Sequence, residues 1–230
     1  MEKKWHSDDV GILGGFMPCY AITGRTGQGK GLCGVGLLMD YLKRGKPVAT
    51  NVDLFMENYP NPRKRDIYVL RVPDIPTYDI LTGIGNGNEN PKNEDDNGLL
   101  YYMEATNFLS SRKWNEPGRA EINQWYRERR KYGWDVAFDL QDLSTMDPQV
   151  RDSVIDYEIR AKAVRAIRIP IITSIIKQFT GQRHVLLPKA MRFHVAKMRN
   201  IELDITEDVE TYRGKDYYPL YDTAQRTNPE

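Results

Sequence analysis

The chain has 230 residues, 40% of them hydrophobic, with 33 Lys+Arg against 32 Asp+Glu. It can bury a substantial core as one large α/β domain, and its near-neutral balance excludes a chain-wide positive field that would hold nucleic acid nonspecifically. No stretch approaches the roughly 20 uncharged apolar residues of a membrane helix, Cys19 and Cys33 lack metal or redox spacing and read as reduced core residues, and His6, His184 and His194 form no metal pattern.

Residues 1–16 lack the continuous apolar stretch of a signal peptide and read as a leader or extension before the domain proper at 17–200. The segment 17–23 (MPCYAIT) is a strand candidate, followed at once by the turn GRTGQGKG and a helical pattern in Leu32, Val35, Met39 and Leu42. Lys43, Arg44 and Gly45 supply a basic last turn and a stop. Short strands are expected at 48–51 and 67–72, with a brief helix at 77–84. Residues 85–97 (GNGNENPKNEDDN) are turn formers and charges, expected as a mobile surface loop.

The run LLYYM at 99–103 reads as a buried strand ending at Glu104. A helix is expected over 119–132, with Ile122, Trp125 and Tyr126 on its apolar face and Gly133 as its stop; a strand at 134–140 (WDVAFDL) ends in Gln141-Asp142. Asp-Pro opens a short helix at 147–154, and strands follow at 156–164 and 190–196. Between those strands lies the most apolar run, 167–176, interrupted by Arg168, Pro170 and Thr173 and closed by Lys177, which reads as a buried or interfacial segment. Trp114, Trp125 and Trp134 are most simply core. Residues 201–230 are polar and expected as a loosely held tail. Strands alternating with helices predict a three-layer α/β sandwich with a mostly parallel central sheet.

The chemistry concentrates in the first turn, where Gly24, Gly29 and Lys30 fit Gly-x-x-x-x-Gly-Lys between a strand and a helix. Glycines let backbone N–H groups converge on an anion, the helix N-terminus adds partial positive charge, and Lys30 reaches the outer phosphates of a nucleotide. The whole loop, Gly24, Arg25, Thr26, Gly27, Gln28, Gly29, Lys30 and Gly31, is therefore the candidate site for ATP, with Mg²⁺ as its companion ion. Gly31 stands where a Ser or Thr hydroxyl normally binds Mg²⁺, so the ion is weakly organised and hydrolysis suffers more than phosphate binding.

The stretch from Met17 to Leu54, including ATNVDL after the second strand, resembles the filamentous-bacteriophage gene I protein and zonula occludens toxin family. The resemblance continues in order through LRVPDIPTYDIL, NGLLYYMEATNFLSSRKWNE and WYRERRKYGWDVAFDLQDLSTMDPQVRDSV, covering about residues 17–200. It implies a P-loop NTPase-like domain on the cytoplasmic face of the bacterial host inner membrane, in a protein that assembles and exports virions together with other phage proteins. The polar tail then leads towards a membrane span that the chain does not reach, and the toxin activity of some relatives belongs beyond that span.

The family's Walker B aspartate corresponds to Met103, while Glu104 matches its acidic partner and could polarise an attacking water, or else is a strand-end carboxylate in a salt bridge. Gln141 takes the family's polar strand-end position, a γ-phosphate sensor or a turn residue. Arg112, Arg129 and Arg130 are candidates for an arginine finger offered to a neighbouring subunit of a homo-oligomer, or else a solvated helix face. The cluster Arg127, Arg129, Arg130 and Lys131 could instead touch anionic lipid or phage DNA. A nonhydrolytic assembly scaffold of the same fold is the rival reading, which Gly31 and Met103 favour.

Overall fold

The computed structural model describes residues 18–61, 66–90, 92–110, 116–167 and 184–225. The central sheet has eight strands in the order β10-β9-β6-β1-β5-β4-β2-β3. The parallel part comprises β1 (Cys19–Thr23), β2 (Val48–Thr50), β3 (Val69–Arg71), β4 (Gly98–Tyr102), β5 (Trp134–Leu140) and β6 (Tyr157–Val164), joined by helical crossovers. Helix α1 (Lys30–Lys43) covers one face of the sheet. The other face carries α2 (Tyr78–Gly83), α3 (Thr106–Leu109), α4 (Arg119–Glu128) and α5 (Pro148–Val154). The expected three-layer α/β architecture with a mostly parallel sheet is the one observed.

The central strands read as apolar runs because both faces are covered: every residue of β4 and β5 is buried. Alternation still decides what each face holds. Trp134, Val136, Phe138 and Leu140 point into the core beneath α4 and α5, where Tyr126 meets Phe138 edge-on at 5.1 Å. Asp135 and Asp139 point the other way, towards α1, where Asp135 accepts a hydrogen bond from the Tyr41 hydroxyl and Asp139 meets Lys30. Burial raises Asp135 to about 6 against the hydrogen bonds of Tyr41 and Asn97.

Helix α1 lies close to the sheet because Gly34 has no side chain: a Cβ there would overlap the Tyr101 ring. Gly34→Ala is therefore expected to cost about 1–3 kcal/mol through overpacking despite alanine's better helix propensity. A lowered midpoint in thermal or urea unfolding checks this, and an unchanged or raised midpoint would show that Tyr101 yields freely.

Four expectations are corrected. The loop at 85–97 is tied inward, with Asn88 and Asn97 buried. The Asn88 amide donates to Asn93 O at 2.6 Å and to Asn97 Oδ1 at 3.1 Å, and Asn97 donates to Asp135 at 3.2 Å. The helix expected over 119–132 is α-helical only to Glu128 and tightens into a 3-10 turn, Arg129–Tyr132, before Gly133 at φ 68°. The strand expected at 190–196 runs instead as β9 (Phe193–Asn200), antiparallel to β6. The expected loose tail supplies β10 (Ile205–Tyr212), antiparallel to β9, and then buries Leu220 and Tyr221. A short hairpin of β7 (Ala166–Ile167) and β8 (Val185–Leu186) leaves the sheet after β6; most of the apolar run 167–176 lies outside the described residues. No helix among the described residues is long and apolar enough to cross a membrane.

Candidate functional site

The site forms at the carboxyl ends of β1 and β5, where the strand layer opens and α1 begins. Gly24, Gly27 and Gly29 have φ of 148°, 74° and 90°, values that side-chain-bearing residues rarely adopt. Gly29 immediately precedes α1, so the amides of the first helical turn lack intrahelical partners. A Cβ on Gly24 would lie 2.8 Å from Ala161 O, and one on Gly29 would strike the His194 ring, so these glycines are required by space as well as by φ.

The loop is held from several sides. Gly24 N donates to Gln141 O at 3.3 Å, Ala163 N donates to Gln28 Oε1 at 2.9 Å, Arg165 donates to Gly27 O at 3.2 Å and the Tyr212 hydroxyl donates to Gly29 O at 3.1 Å. These contacts engage loop carbonyls, one side chain and one amide. Arg25, Thr26 and Gly27 at the crest are exposed. Beside the loop, Lys162, Arg165 and Lys197 with Gln28 and Val195 line a cleft of about 480 Å³.

Lys30 folds back so that Nζ lies 3.5 Å from Asp139 Oδ1, with only 14% and 5% of the two side chains exposed. Burial pushes Asp139 up to about 7, Lys30 opposes that rise, and the Glu104 charge adds to it. Sequence reasoning missed Asp139. The available signal was an acid at even spacing from Asp135 in an otherwise apolar strand, since a buried carboxylate needs a partner.

The companion-ion position fits poorly. Gly31 offers no side-chain oxygen, and a Cβ built on it would lie 3.0 Å from Met103 Cε and 3.9 Å from the Tyr221 hydroxyl. The two departures noted in the sequence are thus neighbours in space, and a thioether fills the volume where a hydroxyl and a carboxylate would meet a hard cation. Among the described residues no group of three or more His, Cys, Asp or Glu could hold a metal ion.

Glu104 is exposed just past β4, at a left-handed φ of 54°, an unusual backbone for glutamate. Its backbone surroundings are fixed by Asn51, which accepts from Met103 N at 2.7 Å and donates to Met103 O at 3.1 Å. Gln141 is brought to the loop through its carbonyl while its side chain remains exposed. Arg129 is corrected: it is buried, 2.8 Å from Asp156, at the opposite end of β5 from the loop, and so serves packing rather than a neighbouring subunit. Arg127, Arg130 and Lys131 are exposed at that same remote end. Arg112 and Trp114 lie outside the described residues. Cys19 and Cys33 are free and buried, with burial raising both thiols to about 12.

The family model described as Zonular occludens toxin (Zot) matches residues 19–206. The Gene 1 protein of Escherichia phage If1 is 37% identical over 211 residues, covering 91% of this chain and 59% of the relative. The Gene 1 proteins of Enterobacteria phage M13 and Salmonella phage IKe are each 35% identical over 211 residues, with 60% and 57% of their lengths covered. The chain thus spans less than two thirds of these relatives. Among solved structures, the DNA-packaging ATPase B204 from Sulfolobus Turreted Icosahedral Virus superposes with a TM-score of 0.47 at 11% identity, covering 86% of this chain and 98% of that one. Flagellar accessory protein FlaH from Methanocaldococcus jannaschii gives a TM-score of 0.47 at 12% identity, covering 90% of each chain.

Proposed function

The chain belongs to the Zonular occludens toxin (Zot) family, and from that premise we propose that it is the nucleotide-binding domain of a filamentous-phage virion assembly protein. In this reading the loop Gly24 to Gly31 binds ATP or ADP, and nucleotide occupancy is coupled to extrusion of the virion at the cytoplasmic face of the host inner membrane. Its partners are other phage assembly and export proteins, and further copies of itself. The carrying observation is the left-handed backbone of Gly27 and Gly29 immediately before the 14-residue helix α1, whose first residue is Lys30. Those groups recognise phosphate without help from a metal.

The neighbouring positions of Gly31 and Met103 favour a variant of this reading, in which nucleotide is held as part of an assembly scaffold and turned over slowly or not at all. Nucleotide affinity with and without Mg²⁺ tests the proposal. Calorimetry is expected to give measurable ADP binding in EDTA and a gain of less than about threefold on adding Mg²⁺, because the ion finds no protein oxygen at residues 31 and 103. A gain of tenfold or more would show that an organised metal site exists after all. Absence of binding under either condition would remove nucleotide from the function.

A further inference from the structure

The loop lysine is engaged by a buried carboxylate. Lys30 Nζ sits 3.5 Å from Asp139 Oδ1, in a pocket that leaves 5% of the aspartate side chain exposed. Asp139 is paired in register with Ile22 of β1, at the strand end that launches the phosphate loop. The ionisable groups around it are Lys30 and Cys33 of α1, Tyr101 of β4, Glu104 just beyond β4, and Tyr221 of the C-terminal segment. Lys30 is the cation among them, so the aspartate charge is stabilised chiefly by the group that phosphate must recruit.

Resting on the nucleotide reading above, we propose that Asp139 is the positioning residue for Lys30, and that docking of a nucleotide phosphate at the loop takes up one proton onto the Asp139 carboxylate. The proton comes from hydronium or a buffer acid in solvent, whose bond to it breaks as the new O–H forms, and no other covalent bond changes. With phosphate absent, the carboxylate holds the ammonium against the loop. When phosphate arrives it competes for the same ammonium and adds a second negative charge to a poorly solvated space. Two anions sharing one buried cation are costly, and protonating the weaker acid relieves the repulsion. Asp139 is disposed to accept that proton, because burial already raises it to about 7 with Lys30 beside it. Losing part of Lys30's attraction, and gaining a phosphate neighbour, both move it further upward.

The sign follows directly. A group that binds its proton more tightly in the complex than in the free protein makes ligand affinity rise as pH falls, and weaken above the free protein's pKa. Native affinity is therefore expected to fall between pH 7 and 8.5, with a limiting slope of about tenfold per pH unit, relative to a protein that cannot ionise at residue 139. Asp139→Asn supplies that comparison, since the amide can still accept from Lys30 but carries no charge at any pH.

The probe is ADP without Mg²⁺, bound to the full chain and followed by calorimetry from pH 6 to 8.5 in buffers of different ionisation enthalpy. The nucleotide's own titration is common to both proteins and cancels in the comparison. Support consists of a native affinity that declines relative to Asp139→Asn as pH rises, with the native chain taking up more protons at pH 7.5, by up to about one. Equal pH profiles and equal proton counts, or a variant weakened by the same factor at every pH, overturn the linkage while leaving the nucleotide reading intact. Failure of the native chain to bind ADP at any pH overturns both. Should the variant not fold, the ¹³C carboxyl resonance of Asp139 in the native chain decides: it must move towards the protonated position on saturation with ADP at pH 7.5, and a resonance that stays put refutes the proposal.

Discussion

Replacing Gly31 by Ser and Met103 by Asp together is expected to raise ATP turnover by about one to several orders of magnitude, because correctly placed charge around the transferring phosphoryl group is a principal term in such catalysis. The structure adds a reason why neither change suffices alone. A Cβ at Gly31 meets Met103 Cε at 3.0 Å, so Gly31→Ser by itself pushes a hydroxyl against a thioether. Met103→Asp alone adds a carboxylate near Asp139 and Glu104 without the hydroxyl that completes the pair. On a logarithmic scale the double variant should therefore exceed the sum of its singles. Adding Glu104→Gln should remove most of the gain and leave nucleotide bound. A folded double variant that binds Mg-ATP yet turns it over no faster than the native chain would make the scaffold the better account.

Lys30→Ala is expected to weaken ADP binding at least tenfold, the scale of losing about 1.4 kcal/mol of charge-assisted contact. The variant also leaves Asp139 buried without its cation, so Asp139 should rise and hold its proton in the free protein. Fold integrity is checked by circular dichroism and a thermal melt, and affinity by calorimetry. An affinity within about threefold of the native value, in a protein that melts normally, would displace the site from this loop.

Much of this architecture was legible in the sequence for physical reasons. The strand-turn-helix order around GRTGQGKG is local, so motif and periodicity suffice to place β1 and α1. Gly133 marks the end of the turn after α4, and Asp147-Pro148 the start of α5, because left-handed φ and a capped helix start are demands on single residues. Local rules fail where a partner lies far along the chain. The segment ITEDVETY shows weak alternation because β10 is an edge strand with its first five residues exposed, and nothing within it announces pairing with β9. The loop at 85–97 looks mobile by composition, yet two of its asparagines turn inward: Asn88 donates to Asn97, and Asn97 donates to Asp135, which also binds Tyr41 of α1.

The candidate site was legible as a motif in its glycines and lysine, but its surroundings were not. Which face of β5 a carboxylate takes depends on register, and register pairs Ile22 with Asp139 across 117 positions of sequence, counted as 139 less 22. Met103 and Gly31 could each be marked as departures, but only packing shows that one fills the space vacated by the other. Arg129 shows the opposite failure: its charge suggested a reach outward, whereas Asp156 draws it inside.

The C-terminal segment clasps the candidate site from two sides. After β10 the chain passes back over the opposite edge of the site, where Phe55 N donates to Leu220 O at 2.8 Å, Asn58 donates to Pro219 O at 2.8 Å, and Gln225 both accepts from Asp53 N at 2.9 Å and donates to Asn51 O at 2.8 Å. Asn51 grips the backbone of Met103, and Tyr212 at the start of this path grips Gly29 O. The same C-terminal segment therefore holds both rims of the candidate site, Gly29 through Tyr212 and Asn51 through Gln225, so the two rims are fixed relative to each other by one stretch of chain.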